Sequence, residues 1–201
     1  MLKKTMKPFV IIDNGHGKET PGKGSPDGKL KEWQWTRKAA IELQKILCAR
    51  GIGSILLVPC EGDLSLRERC IRANFHAAEH QDAILVSLHS NAAGDGTAWH
   101  SACGWSAYIA PKASEKSEKL ARLLYGEAAV MHLLGNRATP PEGFYRANFA
   151  ICRDTRCPAV LTENLFHDNR EDAQFLMSEQ GILSIALLHA AAIEKYYASM
   201  S

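Results

Sequence analysis

The sequence predicts a single α/β domain with a twisted, mostly parallel sheet of about six strands and helices on both faces. Short apolar runs typical of buried strands alternate with longer segments of helical periodicity, which is the pattern of βα units. The 201 residues suit one domain, and 46% of them are hydrophobic, enough for a sizeable core. No internal repeat or linker divides the chain, so residues 1–201 are expected to form one domain with a core from about residue 8 to residue 197.

The first predicted strand is the apolar run Phe9–Ile12, and a loop rich in glycine, proline and lysine follows from Gly17 to Gly28. A helix is predicted over Glu32–Arg50, because apolar residues recur there at helical spacing. Gly51 comes directly after this helix, where glycine adopts the left-handed conformation without strain. These elements make up the first βα unit.

The second unit begins with a strand predicted over Ser54–Val58. The next helix opens near Leu64. Ser65 is a favourable N-cap, and Glu68, three residues later, completes a capping box. The apolar run Ala83–Leu88 follows and is predicted to be the central strand.

The second half of the chain contains two more strands and two more helices, predicted over Trp105–Ala110, Ser114–Leu134, Ala159–Glu163 and Asp172–Tyr197. The first of these strands is expected at an edge of the sheet, and the last helix is expected to be one long segment. Polar and glycine-containing stretches at residues 95–103 and 137–148 are predicted loops.

Composition excludes two classes of function. The formal net charge is only +2 and no basic run is interleaved with aromatic residues, which argues against nucleic-acid binding. No apolar stretch approaches the roughly 20 residues that a membrane-spanning helix needs. The basic start, Met1–Pro8, resembles the first part of a signal peptide, but the apolar run after it is too short, so no signal peptide is expected in this sequence.

The chain has six cysteines, and none of them forms a CxxC motif. Scattered cysteines in a domain of this size are usually buried, reduced thiols, so neither a disulfide scaffold nor a structural zinc is expected. Cys152 and Cys157 flank four residues and could form a bridge if that stretch is a turn.

Two histidines follow predicted strands. His16 stands between glycines just after the first strand, and His89 follows the central strand directly. The carboxyl ends of parallel strands meet at one edge of a sheet, where α/β proteins place their reactive groups. Zinc hydrolases bind the metal through three histidine or carboxylate ligands and leave a fourth position for water. The two histidines therefore indicate a metal site.

A carboxylate ligand is expected to complete the site. Glu32 opens the helix on the far side of the loop that follows His16, so its side chain can fold back toward the same edge. An acidic residue in the first turn of a helix is also favoured by the helix dipole alone. Glu19 and Glu42 compete as ligands, but the first lies in the loop and the second lies in the middle of the helix.

A second carboxylate, Glu163, ends the last predicted strand in an otherwise apolar run. Burying an unpaired carboxylate costs several kcal/mol, so this position indicates a role with a metal or in proton transfer. The alternative is a structural carboxylate paired with Arg153 or Arg72.

The chain resembles a known family in several segments that occur in the same order. Besides Glu32 at the start of a helix, the segments are Ile11–Gly17, Ser87–Ala92, Pro158–Glu163 and Phe166–Leu176. Together they resemble the zinc-dependent N-acetylmuramoyl-L-alanine amidases of the amidase-3 type, over about Phe9 to Tyr197.

The resemblance implies one zinc per chain, bound by His16, Glu32 and His89. Glu163 would be the general base and acid that activates the zinc-bound water. The reaction would be hydrolysis of the amide between N-acetylmuramic acid and L-alanine in peptidoglycan. The implied partner is peptidoglycan or a muropeptide, and the protein would act at the cell wall, in the periplasm or outside the cell. We expect a monomer.

Four further residues are candidate substrate contacts. Asn91 and His167 lie close in sequence to His89 and Glu163, Arg153 matches an arginine-containing stretch of the family, and Trp99 stands in a polar, glycine-rich loop.

Two other functions remain open from the sequence. One is a different zinc amidohydrolase or peptidase on the same site. The other is a non-catalytic peptidoglycan-binding protein, which would not need all four of His16, Glu32, His89 and Glu163.

Overall fold

The computed structural model describes residues 7–137 and 140–200, so most of the basic start of the chain lies outside the described residues. Strands and helices alternate along this part of the chain. Their order is β1 (Phe9–Asn14), α1 (Glu32–Ala49), β2 (Gly53–Leu56), α2 (Leu66–Glu79), β3 (Ala83–Asn91), β4 (Ser106–Ile109), α3 (Glu115–Val130), β5 (Tyr145–Arg146), α4 (Ala150–Arg153), β6 (Ala159–Phe166), α5 (Arg170–Met177) and α6 (Glu179–Ala198).

The strands form one six-stranded sheet in the order β2-β1-β3-β6-β4-β5. The four strands β2, β1, β3 and β6 are parallel, while β4 is antiparallel to β6 and parallel to β5. The predicted fold class, a single α/β domain with a mostly parallel sheet, is confirmed.

Both faces of the sheet are covered by helices. Along β3, Ile84 and Val86 belong to the cluster that includes the buried faces of α1, α3 and α6. Leu85, which points the other way, belongs to the cluster that includes the buried residues of α2 and α4. Successive side chains of a strand alternate between faces, and here both sets are apolar, which is why the central strand is a continuous hydrophobic run.

The prediction that Trp105–Ala110 forms an edge strand is wrong. In the structure β4 lies between β6 and β5, so the two-residue strand β5 is the edge. The ring of Tyr145 on β5 stacks on Tyr108 of β4 at 5.1 Å. A strand of two residues has no periodicity to read, and the prolines and glycine before it favoured a loop.

The prediction of one terminal helix over Asp172–Tyr197 is wrong. This part of the chain forms two helices, α5 and α6, which start at Arg170 and meet at Ser178 with a bend of 85°. The hydroxyl of Ser178 accepts a hydrogen bond from the backbone N–H of Gly181 and caps α6. A Cβ on Gly181 would lie 1.9 Å from the carbonyl oxygen of Phe175, so the close approach at this corner requires glycine. Among the described residues, no single helix is long and apolar enough to cross a membrane.

All six cysteines are free. The possible bridge between Cys152 and Cys157 is therefore not formed. Cys70 and Cys152 are buried as expected, whereas Cys48 and Cys60 are exposed.

Candidate metal centre

A cavity of about 490 Å³ opens at the carboxyl edge of the sheet, on the face that α2 and α4 cover. Strand pairing decides which side chains reach it. His89 pairs in register with Glu163, and Asp13 pairs with Ser87, so all four lie on the same face as Leu161. The cavity is lined by Asp13, His16, Lys23, Asp63, Leu64, Ser65, Leu66, Arg69, His89, Phe149, Ala150, Ile151, Leu161 and Glu163.

His16, Glu32 and His89 meet at this edge. Nε2 of His16 lies 3.4 Å from Oε2 of Glu32, and Nδ1 of His89 lies 3.2 Å from Oε1 of the same carboxylate. One ligand atom from each residue falls within 4.8 Å of the other two, which is close enough to hold a metal ion. The carboxylate is only 1% exposed, and the two histidines face the cavity.

Glu32 is held by hydrogen bonds at its side chain and at its backbone. The backbone N–H of Ser90 donates to Oε1 of the Glu32 carboxylate at 2.9 Å, and the backbone N–H of Glu32 donates to the carbonyl of Lys23 at 3.0 Å. Its second oxygen, Oε2, is buried and has no hydrogen-bond donor among the described residues. A buried carboxylate oxygen without a donor, facing two imidazoles, is the environment that a bound cation would satisfy.

His16 adopts a left-handed backbone conformation, with φ of 60°. Two arginines bind its carbonyl oxygen: Arg69 donates to it at 2.9 Å and Arg37 at 3.2 Å. Arg69 is itself buried and forms ion pairs with Asp13 at 2.7 Å and with Asp63 at 2.9 Å. This network holds the turn that presents the His16 ring to the cavity.

The glycine before His16 makes room for His89. A Cβ on Gly15 would lie 2.2 Å from Cε1 of the His89 ring, so any larger residue would displace that ring. The two imidazoles lie edge to face, with ring centroids 4.8 Å apart.

Electrostatics favour the metal-binding forms of His16 and Glu32, while in the metal-free site the contact with Glu32 favours the protonated form of His89. Burial lowers the pKa of His16 to about 4, so its ring is neutral at pH 7. Burial acts to raise the pKa of Glu32, but the hydrogen bond with His89 and the nearby histidines outweigh it and hold that pKa below its usual value. Burial would lower the pKa of His89, and the contact with Glu32 raises it instead.

Glu163 lies half-buried beside this group, and its Oε2 is shielded and without a hydrogen-bond partner. The two arginines that could have paired with it are engaged elsewhere: Arg153 pairs with Asp154 at 2.6 Å and Arg72 with Glu68 at 2.9 Å. Burial raises the pKa of Glu163 to about 7.

The four candidate substrate contacts do not line the cavity. His167 is 1% exposed and lies behind Glu32, with Nδ1 3.8 Å from its carboxylate. Asn91 accepts a hydrogen bond from the backbone of His167, and Trp99 is half-buried under the guanidinium of Arg170, 4.6 Å away. Arg153 is exposed and lines a different cavity, of about 760 Å³.

A comparison with protein families gives a match over residues 10–195 to the amidase-3 family, described as N-acetylmuramoyl-L-alanine amidase. The chain belongs to this family. The resemblance inferred from the sequence is thereby confirmed, and the match spans almost all of the sheet and both helical layers.

Individual amidases of the family are similar over most of the chain. The N-acetylmuramoyl-L-alanine amidase CwlM of Bacillus licheniformis is 32% identical over 94% of this chain and 68% of its own length. The sporulation-specific N-acetylmuramoyl-L-alanine amidase of Bacillus subtilis is 30% identical over the same shares. The crystal structure of an N-acetylmuramoyl-L-alanine amidase from Clostridium difficile 630 shares the fold, with a TM-score of 0.85 and 24% identity over 98% of this chain and 100% of that one.

Sequence reasoning missed the residues that support the amidase-3 site. Arg69 and Arg37 come from two different helices and meet only at the carbonyl of His16. The sequence did contain a signal for the role of Arg69. Asp13 lies near the end of a buried strand, and a buried carboxylate needs a cation as its partner. The sequence did not show which of the chain's arginines supplies it.

Proposed function

We propose that this amidase-3 protein is a zinc-dependent enzyme that hydrolyses the amide bond between N-acetylmuramic acid and L-alanine in peptidoglycan. The observation that carries the proposal is the cluster of His16, Glu32 and His89 beside Glu163, at the edge of an open cavity. The family match and the named relatives support the substrate.

The donor set fits zinc. Two imidazole nitrogens and one carboxylate are a ligand set of catalytic zinc sites, in which the fourth position is left for water or substrate. His16, Glu32 and His89 would hold the ion. The ion would then serve as the partner that the buried Oε2 of Glu32 otherwise lacks. A zinc ion bound there supplies Lewis-acid chemistry, because it acidifies water and polarises a carbonyl.

Glu163 is proposed to carry the proton. A carboxyl with a pKa of about 7 gains and loses a proton readily at neutral pH, which suits general acid–base catalysis. As a carboxylate it accepts a proton from the attacking water. As a carboxylic acid it then returns that proton to the nitrogen of L-alanine while the C–N bond breaks, so the base is regenerated.

Apolar residues of the cavity are proposed to position the substrate. Leu64 and Leu66, just before and at the start of α2, and Phe149 and Ile151 around α4 line the cavity together with the histidines. Such a lining suits the lactyl and alanine methyl groups on the two sides of the scissile amide, and it limits bulk water near the reacting atoms.

The proposed place of action is the cell wall. The relatives include a sporulation-specific amidase of Bacillus subtilis and an endolysin of Bacillus phage SPP1, which is 27% identical over 94% of this chain. All the site residues come from one chain, so we propose that a monomer is sufficient for activity.

The test digests purified peptidoglycan with the wild type, with Glu163→Ala and with Glu79→Ala, a change at an exposed glutamate at the end of α2, outside the catalytic cavity. Zinc is measured in each protein, and new L-alanine amino termini are counted. The proposal expects one zinc per chain in all three proteins, and cleavage by the wild type and the Glu79 variant only. Full activity of Glu163→Ala would remove Glu163 from the chemistry. Zinc without cleavage of peptidoglycan would direct the search to another amide substrate.

A further inference from the structure

Lys23 lies where two cavities meet. The residue lines the catalytic cavity together with His16 and Glu163. It also lines a neighbouring groove of about 440 Å³, in which Trp33 and Glu61 form part of the wall. A substrate that extends from the reacting atoms into the groove passes this ammonium group.

The backbone of Lys23 is anchored to the candidate metal centre. Its carbonyl accepts the N–H of Glu32 at 3.0 Å, so the lysine is tied directly to the residue that contacts both histidines. The following loop is closed by a bridge between Gly24 and Lys31 and by a hydrogen bond from the N–H of Ser25 to the carbonyl of Leu30 at 2.9 Å. This anchoring fixes the base of the Lys23 side chain beside the site.

The ammonium of Lys23 forms no ion pair within the described part of the chain, although other lysines of the same loop do. Lys18 pairs with Glu61 at 3.6 Å and Lys29 with Asp27 at 3.6 Å. Arg69, the other permanent cation that lines the catalytic cavity, is 3% exposed and is already bound by two carboxylates. The cavity therefore offers one unpaired and accessible positive charge among the residues that line it.

Lys23 shares the catalytic cavity with the reacting groups, because Lys23, His16 and Glu163 all line it. A negative group of a substrate held in this cavity would be attracted by the ammonium.

We propose that Lys23 forms a carboxylate subsite that selects stem peptides by the charge of the residue after L-alanine. This inference rests on the proposed function. In a stem peptide that residue is a glutamate linked through its side chain, whose α-carboxyl is either a free carboxylate or a carboxamide. The group lies one residue beyond the scissile amide, about 3.8 Å further along the peptide. Lys23, which lines both the catalytic cavity and the groove beyond it, has a flexible four-carbon side chain that can follow a group on this path.

The subsite discriminates by charge. A carboxylate accepts a charge-assisted hydrogen bond from the ammonium, whereas a carboxamide offers only a neutral acceptor of the same shape. We expect a preference for the acid of about five- to tenfold in kcat/KM, expressed in KM, because the contact exists before and during the reaction.

The test uses two muramyl tripeptides that differ only in this group, N-acetylmuramoyl-L-alanyl-γ-D-glutamyl-L-lysine and its D-isoglutaminyl analogue, in both of which the side-chain carboxyl of the glutamate is held in an amide bond. Each is hydrolysed by the wild type, Lys23→Ala, Lys23→Arg and the matched control Lys29→Ala. We expect Lys23→Ala to raise KM for the acid to the value for the amide, without changing the kinetics of the amide. Lys23→Arg should keep a preference for the acid, and Lys29→Ala should behave as the wild type.

Three results would overturn the inference. Equal loss of kcat on both peptides in Lys23→Ala would mean that the lysine acts on the reacting groups and not on the carboxylate. Equal kinetics of the wild type on both peptides, unchanged in Lys23→Ala, would leave the amidase function intact and remove the subsite. If the wild type cleaves neither muramyl peptide nor intact peptidoglycan, the proposed function fails and the subsite fails with it.

Discussion

The guanidinium of Arg69 donates a hydrogen bond of 2.9 Å to the backbone carbonyl of His16. At that residue the backbone has a φ of 60°, a conformation that costs a non-glycine residue of order 1 kcal/mol or more. The same guanidinium pairs with Asp13 at the end of β1 and with Asp63 just before α2. One side chain thus connects a strand, the turn after it and the next helix, and it offsets the strain at the turn that carries His16.

We predict that Arg69→Lys lowers the free energy of unfolding by about 3–5 kcal/mol, because a lysine cannot serve two carboxylates and three backbone carbonyls from one buried position. Urea denaturation of the metal-free protein measures the change. Arg72→Lys, in an exposed pair with Glu68 on the same helix, is the control and should change stability by less than about 1 kcal/mol. Equal, small effects of both substitutions would show that Arg69 is not the link described.

Gly15→Ala is predicted to reduce zinc binding while the protein still folds. The new methyl group would lie 2.2 Å from the His89 ring, so the imidazole must rotate away from Glu32. The zinc content after dialysis against a weak chelator is the measurement. Gly62→Ala is the matched control, since a Cβ there meets no atom within 4 Å. Full retention of zinc by Gly15→Ala would argue that His89 is not a ligand.

Glu32→Gln is predicted to weaken zinc affinity by roughly 100-fold or more, because it replaces a charged ligand oxygen by a neutral one at a site that is 1% exposed. Competition with a chromophoric chelator gives the dissociation constant. Glu42→Gln, on the same helix in a surface pair with Lys45, serves as the control and should bind zinc as the wild type does. Unaltered affinity of Glu32→Gln would move the carboxylate ligand to another residue.

Much of the fold could be predicted because each main strand is an apolar run. The predicted bounds fall short at the carboxyl ends, where β1 continues to Asn14, β3 to Asn91 and β6 to Phe166. Polar residues there still pair in the parallel ladder, as Asp13 does with Ser87, and hydrophobicity alone does not detect them. The prediction of one helix over Asp172–Tyr197 made no use of Ser178, although serine is favoured at helix N-caps and caps α6 here.

The sequence predicted which three residues come together at the candidate site, but it did not predict the residues that hold them in place. His16, Glu32 and His89 were expected at one sheet edge, and the structure places their ligand atoms within 4.8 Å of one another. Their supports could not be predicted, because Arg69 reaches Asp13 across 56 residues of sequence. His167, two residues after the left-handed Leu165, is 1% exposed beside Glu32 and contacts the hydroxyl of Ser90, so its closeness in sequence to Glu163 did not place it in the cavity.

His189 on α6 is a buried histidine away from the candidate metal centre, and it makes stability depend on pH. The ring is 0% exposed; its Nδ1 donates to the carbonyl of Ile185 at 2.8 Å, and its Nε2 lies 3.0 Å from the hydroxyl of Thr162. Burial lowers its pKa from 6.5 to about 4. Between these two values the unfolded chain binds a proton that the folded protein does not, so stability falls as the pH decreases from about 6.5 toward 4.

The predicted size follows from the same values. Titration of His189 should make the free energy of unfolding about 2 kcal/mol lower at pH 5 than at pH 7, because each pKa unit corresponds to about 1.4 kcal/mol. His189→Gln removes the titration, so the loss of stability from pH 7 to pH 5 should be about 2 kcal/mol smaller in this variant. Urea denaturation of metal-free protein at both pH values measures it, with His76→Gln on the surface of α2 as the control. An identical pH dependence of the wild type and His189→Gln would show that the folded protein accommodates a charged His189, although the two groups that its ring contacts are a hydroxyl and a backbone carbonyl.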